Sequence, residues 1–131
     1  MSTMRMRQKQ EQRQMRTILV VEDDEAIGAF LMETIAQETP YQFVLATHSL
    51  QAYQLAQKIK PILFILNYHL PGMNGIQLYD RLHAIQELAH VPAIMLSAVL
   101  PEQEVKQRQM VGITKPFDLS LLLDAIEQLL A

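Results

Sequence analysis

The segment FILNYHLPGMNG, residues 64–75, decides the fold class because it joins the end of a buried strand to a sharp turn. Its apolar start is typical of a strand, and the Pro-Gly and Asn-Gly pairs that follow form turns. Asn67 stands between the two. In open α/β sheets, functional side chains collect where the strands end. The segment therefore predicts a strand-to-helix connection that places an amide, Asn67, at a strand end where a functional side chain is expected.

The rest of the chain alternates between short apolar runs and longer stretches with helical spacing, which indicates βα units around a parallel sheet. The continuous apolar character of the short runs favours strands that are covered on both faces. Five strands are predicted, the third and fourth of them central, at residues 17–22, 41–47, 62–66, 91–97 and 111–114.

Apolar residues between these strands recur at helical spacing and predict helices that cover the sheet. A fourth helix, mostly polar, is predicted to begin at Pro101. The last helix, from residue 118, has an apolar face that either packs entirely in the core or serves in part as a partner surface. The predicted stripes are Ile27, Phe30, Leu31 and Ile35; Ala52, Leu55, Ala56 and Ile59; Leu78, Leu82 and Ile85; and Leu119, Leu122, Leu123, Ile126 and Leu130.

Length and charge indicate one domain with a basic extension. The 131 residues, half of them apolar, suffice for a single core. Residues 1–16 hold one of the 14 acidic side chains and five of the 11 basic side chains. Residues 17–131 therefore hold 13 acidic and six basic side chains. We interpret residues 1–16 as an appendage: either a mobile tail, or an arm for nucleic acid or an acidic partner.

Several classes of function are excluded or disfavoured by composition. The chain has no cysteine, so disulfides, thiolate metal sites and cysteine nucleophiles are excluded. The apolar runs are far shorter than the roughly 20 residues of a membrane-spanning helix. The four histidines lack the spacing of a helical metal site. We expect a soluble cytoplasmic protein that is not an enzyme.

The residues that directly follow the predicted strands form a coherent polar set. Clustered carboxylates are hard-cation ligands suited to Mg²⁺, and a lysine or a small hydroxyl can bind phosphoryl oxygens. The pattern predicts a site that handles phosphoryl groups, whereas the alternative is that these residues only cap strand ends, as Asp24 can cap the first helix. The set comprises Glu22, Asp23, Asp24, Asn67, Ser97, Lys115 and Pro116.

In their order and spacing, the motifs ILVVEDDEAI, LNYHLPGMNG, AIMLSA and TKPF resemble the receiver domain of bacterial two-component response regulators. The resemblance covers residues 17–131. It implies a flavodoxin-like fold: a doubly wound five-stranded parallel sheet flanked by five helices, with an aspartate that accepts a phosphoryl group from a histidine kinase. The implied correspondences are Asn67 for the phosphoacceptor, Glu22, Asp23 and the His69 backbone carbonyl for Mg²⁺, Ser97 for the switch hydroxyl, Lys115 for the phosphate-contacting lysine, and Lys115-Pro116 for a cis bond.

Two departures from the family pattern bear on function. An amide is no nucleophile toward phosphorus, whereas a carboxylate forms an acyl phosphate, so Asn67 should prevent ordinary phosphotransfer. Gly112 stands where related receivers often carry an aromatic side chain that moves during switching. Asn67 also removes one negative charge and adds two hydrogen-bond donors. We therefore expect Glu22 or Asp23 to accept from Asn67 and to pair with Lys115, which closes the pocket without metal and weakens Mg²⁺ binding.

The leading hypothesis is a phosphorylation-independent receiver that acts by binding proteins, with its fourth helix, fifth strand and last helix as the expected contact surface. Because no output domain follows in the sequence, the expected partner is a histidine kinase, a phosphotransfer protein, a separate output protein or a second copy of the chain. One alternative is a conventional receiver, if Asn67 is an engineered substitution or if Asp23 or Asp24 accepts the phosphoryl group. A Mg²⁺-dependent phosphohydrolase and a nucleic-acid-binding protein are disfavoured.

Overall fold

The computed structural model describes residues 16–131 of the chain. The predictions for the basic extension therefore lie outside the described residues, except at Arg16. The Arg16 carbonyl oxygen accepts a hydrogen bond from the Gln42 backbone N–H at 3.0 Å, and its guanidinium lies 5.6 Å from the centre of the Tyr41 ring.

Residues 16–131 form five β-strands and five α-helices in alternation. The strands are β1 (Thr17–Val21), β2 (Gln42–Ala46), β3 (Leu63–Asn67), β4 (Ala93–Ser97) and β5 (Val111–Thr114), and the helices are α1 (Glu25–Glu38), α2 (Ser49–Ile59), α3 (Gly75–His83), α4 (Glu102–Gln107) and α5 (Leu119–Leu130). A short 3₁₀ helix at Gln86–Leu88 follows α3.

The strands form one parallel sheet in the order β2-β1-β3-β4-β5, so the predicted doubly wound α/β fold is confirmed. Helices α1 and α5 pack on one face, and α2, α3 and α4 cover the other. The three inner strands are buried at every position, as their continuous apolar sequences predict. The switch in strand order falls between β1 and β3, and it brings the ends of these strands together.

Helix α1 packs largely through the predicted face, since Leu31 and Ile35 are buried and Ile27 packs against the core, but one residue was assigned wrongly. Phe30 was assigned to the buried stripe, but it is 49% exposed. Gly28 is buried instead, and a Cβ atom at this position would lie 3.0 Å from Leu45 Cδ2. The absence of a side chain at Gly28 lets the helix approach the sheet, which turns Phe30 toward solvent. The buried residues of α1 are Gly28, Leu31, Thr34 and Ile35.

Several predicted boundaries differ from the observed ones by one or two residues, among them those at Asn67 and Pro101. Asn67 is the last residue of β3 rather than the residue after it, because it continues the ladder opposite Leu96 of β4. Pro101 precedes α4 as its N-cap residue instead of occupying the first turn. Its carbonyl oxygen accepts the Val105 N–H at 3.0 Å, which is the first hydrogen bond of that helix.

The apolar face of α5 is used mainly for packing. Leu122 and Ile126 are buried, and the other predicted members, Leu119, Leu123 and Leu130, are half-buried. Leu121, which was outside the predicted face, is 57% exposed. Among residues 16–131, no helix combines the length and hydrophobicity that crossing a lipid bilayer requires.

The turn between β3 and α3 depends on two glycines for different reasons. Gly72 has a φ of +89°, a left-handed conformation that glycine adopts without strain. Gly75 begins α3, and a Cβ atom there would lie 2.7 Å from the Asn67 carbonyl oxygen. Asn74 caps the helix by accepting the Gln77 N–H at 2.9 Å. The turn therefore holds α3 directly against the end of β3.

Helix α3 is tied to the segment after α4 by a bidentate ion pair that the sequence did not reveal. Arg108 donates from Nε and from Nη2 to the Asp80 carboxylate at 2.7 and 2.8 Å. Its backbone carbonyl oxygen accepts from the Tyr79 hydroxyl at 3.3 Å. The hydrogen bond from Arg108 is the main cause that lowers the pKa of Asp80.

We expect the Asp80–Arg108 pair to make stability depend on pH. A carboxyl group whose pKa is lower in the folded state stabilises the fold above its unfolded pKa of about 3.9, and the stabilisation disappears as pH falls through the folded pKa. Because the pair is partly exposed, Asp80→Asn should cost no more than about 1 kcal/mol near neutral pH. Urea unfolding of both proteins over a descending pH series measures this difference. A difference that persists after Asp80 is protonated would contradict the assignment, and Glu102→Gln on exposed α4 is the control.

Candidate functional site

Four of the polar residues predicted from the sequence, Glu22, Asp23, Asn67 and Lys115, meet at the carboxyl ends of β1, β3 and β5. Glu22 follows β1, and its N–H donates to the Ala46 carbonyl oxygen at 3.0 Å. Asn67 ends β3. Lys115 follows β5, and its N–H donates to the Ser97 carbonyl oxygen at 2.8 Å. Backbone hydrogen bonds to neighbouring strands thus hold Glu22 and Lys115 beside Asn67.

The Asn67 side-chain amide lies at the centre of this site and is 7% exposed. Its Nδ2 atom donates to Glu22 Oε2 at 3.0 Å, to Asp23 Oδ1 at 3.2 Å and to the His69 carbonyl oxygen at 2.8 Å. The amide has two protons for these three acceptors, so at least one proton is shared. Either Glu22 or Asp23 was expected to accept from Asn67, and in the structure both do.

Lys115 completes a closed ring of hydrogen bonds. Its Nζ atom donates to Glu22 Oε1 and to Asn67 Oδ1, each at 2.9 Å. Reversal of the Asn67 amide would place its nitrogen against the ammonium and its oxygen against the carboxylates, so the surrounding charges fix its orientation. We call Glu22, Asn67 and Lys115 the amide ring.

Burial differs sharply among the charged groups of the site. Glu22 is 1% exposed, and the side chain of Lys115 is 20% exposed. A buried carboxylate is tolerated only with a charge partner and hydrogen bonds. Glu22 has both, since it pairs with Lys115 and also accepts from the Asp24 N–H at 3.3 Å. The exposed Asp23 carboxylate lies at the rim.

The arrangement in this structure does not fit a magnesium ion. The oxygen ligands expected from the sequence are those of Glu22, Asp23 and the His69 carbonyl, and Asn67 Nδ2 lies within 3.2 Å of all three. A cation bound by these oxygens would have to displace an amide that already satisfies them. Within the described residues, 16–131, no group of three or more His, Cys, Asp or Glu residues is arranged to hold a metal ion.

Ser97 does not take part in the amide ring. Its buried hydroxyl donates to the Val99 carbonyl oxygen at 2.8 Å and accepts from the Val99 N–H at 3.3 Å. The hydroxyl has one proton, and that proton is used within the loop after β4. Asp24 also acts locally: its side chain accepts the Ile27 N–H at 3.0 Å and caps α1.

The space beside Gly112 is partly filled by another side chain. A Cβ atom at Gly112 would lie 3.0 Å from Leu100 Cδ1 and 3.3 Å from Val105 Cγ1. Gly112 was recognisable in the sequence but Leu100 was not, because nothing in the spacing indicated that the loop after β4 folds back over β5. The Lys115–Pro116 peptide bond, at the other end of β5, is cis.

Comparison with protein families gives one match that covers most of the chain. The model of the response regulator receiver domain matches residues 18–127. The chain is 31% identical over 117 residues to sporulation initiation phosphotransferase F of Bacillus subtilis, a match that covers 86% of this chain and 92% of the relative. It is 36% identical over 106 residues to the phosphate regulon transcriptional regulatory protein PhoB of Pseudomonas aeruginosa. That match covers 78% of this chain and 46% of PhoB, so the chain spans about half the length of that relative.

Solved structures with the same fold include a chemotaxis response regulator, CheY4 of Vibrio cholerae. Its TM-score is 0.79 at 24% identity, over 87% of this chain and 98% of CheY4. A response regulator described as putative, from Chloroflexus aurantiacus, gives a TM-score of 0.80 at 23% identity, over 88% and 97% of the two chains. At these identities the similarity establishes the fold alone.

Proposed function

Because this chain belongs to the response regulator receiver domain family, and is thus a receiver domain of two-component signalling, we propose that it works without phosphorylation and acts by binding other proteins. In this proposal Asn67 occupies the phosphoacceptor position. Glu22, Asp23 and the His69 carbonyl correspond to the metal ligands, Ser97 to the switch hydroxyl and Lys115 to the phosphate-contacting lysine.

The observation that carries the proposal is the chemistry of Asn67 within the amide ring. A carboxylate at this position could attack phosphorus and form an acyl phosphate, but a carboxamide has no comparable nucleophilic oxygen. Both ends of the amide are also engaged, by Lys115 on Oδ1 and by Glu22 on Nδ2. One relative is named as a phosphotransferase. In this proposal the chain keeps the receiver fold but has no carboxylate that could accept a phosphoryl group.

The closed amide ring also supports weak metal binding. Clustered carboxylates repel one another until a cation or a donor neutralises them. The amide protons and the Lys115 ammonium supply those donors here, so Mg²⁺ gains less by binding. We therefore propose that the protein binds Mg²⁺ more weakly than its Asn67→Asp variant does.

Partner binding is proposed on the surface formed by α4, β5 and α5. Exposed apolar side chains at Val99 and Leu121, 79% and 57% exposed, support a contact surface on this side of the molecule. The proposed partner is a histidine kinase, a phosphotransfer protein, a separate output protein or a second copy of the chain.

Intact-mass analysis after incubation with a small-molecule phosphodonor and Mg²⁺ tests the proposal. We expect no phosphoryl adduct on the protein itself and one adduct on Asn67→Asp. Asn74→Asp is the matched control, because it makes the same change at a helix cap outside the amide ring, and it should gain nothing. An adduct on the unaltered protein would overturn the proposal and would direct peptide mapping to Asp23 and Asp24, which would then define a conventional receiver.

A further inference from the structure

The amide ring places an amine, a carboxamide and a carboxylate in mutual contact. Glu22 bridges the other two members, since its Oε1 accepts from Lys115 Nζ at 2.9 Å and its Oε2 accepts from Asn67 Nδ2 at 3.0 Å. Lys115 Nζ also lies 2.9 Å from Asn67 Oδ1, one covalent bond away from the amide carbon. These are the groups required for transfer of an acyl group from one nitrogen to another.

We propose that Lys115 and Asn67 become joined by an isopeptide bond, in a reaction that the chain performs on itself with Glu22 as the proton carrier. The product would be a covalent cross-link between the end of β3 and the residue after β5, two positions 48 residues apart in sequence. This inference rests on the geometry of the amide ring and does not require the proposed signalling function.

The step balances without any reactant from outside. Lys115 passes a proton from Nζ to Glu22 Oε1, and the resulting amine attacks Asn67 Cγ. The new Nζ–Cγ bond forms as the Cγ–Nδ2 bond breaks, and the Glu22 carboxyl group rotates about its Cγ–Cδ bond to deliver to Nδ2 the protons that it took from Nζ. The lysine nitrogen loses two protons in total, the amide nitrogen gains two, and it leaves as an ammonium ion. No electrons are transferred, and Glu22 is regenerated.

Burial and position favour this reaction over hydrolysis. Asn67 is 7% exposed and Glu22 is 1% exposed, which restricts the approach of competing water. Both reacting groups are held at strand ends of one sheet, and fixed proximity of this kind can greatly accelerate an intramolecular reaction. Asp23 Oδ1 and the His69 carbonyl oxygen already accept from Nδ2, so they are placed to stabilise the departing ammonium.

Succinimide formation offers no comparable route at Asn67. That reaction requires the backbone nitrogen of the next residue as nucleophile, and the Tyr68 N–H donates to the Leu96 carbonyl oxygen at 2.9 Å as part of the sheet. Asn74 is followed by Gly75, a sequence in which cyclisation also releases ammonia. The test must therefore separate the two sites.

Intact-mass analysis of the full chain, over prolonged incubation, tests the cross-link. We expect a species lighter by one ammonia, and proteolysis should yield a branched peptide that joins the segment containing Asn67 to the segment containing Lys115. Lys115→Arg keeps the positive charge but removes the nucleophile, so it should abolish the branched peptide and leave any ammonia loss at Asn74 unchanged. Glu22→Gln should abolish it by removing the proton carrier.

Three results would overturn the inference: no loss of ammonia from Asn67 at any time, a loss from Asn67 that Lys115→Arg leaves unchanged, or conversion of Asn67 to aspartate by water. Circular dichroism of Lys115→Arg verifies that the variant is folded. The comparison with Lys115→Arg tests the cross-link even if Glu22→Gln does not fold. Failure of the cross-link would leave the phosphodonor experiment unaffected, because that experiment compares acceptor groups at residue 67.

Discussion

Phe64→Ala is expected to lower the free energy of unfolding by about 3 to 5 kcal/mol, the usual cost of deleting a buried aromatic side chain. Phe64 is fully buried on β3, the central strand of the sheet. It lies opposite Leu19 of β1 and Ala93 of β4. Because both neighbouring strands are themselves held in the sheet, the surroundings have little freedom to close the cavity. Urea unfolding followed by circular dichroism measures the change.

Phe30→Ala provides the matched control for this core substitution. It removes the same side chain from a position that is 49% exposed, and the loss should stay below about 1 kcal/mol. Equal losses for the two variants would show that the burial assigned to Phe64 and to Phe30 is wrong. The comparison also tests which face of α1 contacts the sheet.

The fold was predictable because the inner strands have continuous apolar sequences, a pattern that tertiary structure does not override. A strand covered on both faces must be apolar throughout, so Leu63, Phe64 and Ile65 indicate their own burial. The edge of the buried face of α1 was less well defined, because Phe30 fits the helical stripe of Ile27 and Leu31 although it is exposed. Gly28 is buried by its close contact with Leu45 of β2, and a contact between elements distant in sequence cannot be read from helical spacing.

The members of the site were also predictable, because parallel strands point their carboxyl ends to one edge of the sheet. Their hydrogen bonds were predictable only in part. Asn67 was expected to donate to Glu22 or Asp23, whereas its amide contacts both carboxylates and a backbone carbonyl. The position of the His69 carbonyl oxygen depends on the path of the loop after β3, which residue types alone do not determine.

Contacts between distant surface segments gave no signal in the sequence. Arg108 and Asp80 are 28 residues apart and belong to no common helix, so no spacing rule joins them. Leu100 is an ordinary apolar residue in a loop, and only the fold places it over Gly112. Both contacts lie between elements on one side of the sheet, where α4 is only six residues long and depends on its neighbours for position.

Lys115→Met is expected to cost about 3 kcal/mol, because it leaves the Glu22 carboxylate buried without its positive partner. Glu22 is 1% exposed, so solvent cannot replace the ammonium. The hydrogen bonds from Asn67 Nδ2 and the Asp24 N–H remain, but they do not neutralise the charge. The measurement is urea unfolding, on protein that intact mass has shown to lack the Lys115–Asn67 cross-link. Lys106→Met, the same change at an exposed position of α4, should alter stability by less than about 0.5 kcal/mol.

A double substitution distinguishes two causes of the lost stability: the unpaired charge of the Glu22 carboxylate and the lost packing of the lysine side chain. If the cost of Lys115→Met arises from the buried carboxylate, adding Glu22→Gln should recover most of it, because the neutral amide removes the charge and keeps the shape. Glu22→Gln alone should cost less than Lys115→Met, since the remaining ammonium is 20% exposed and partly hydrated. Lys115 Nζ lies 2.9 Å from Glu22 Oε1, so the two substitutions should be energetically coupled. If the losses in stability simply add in the double variant, the two residues contribute independently and this account is wrong.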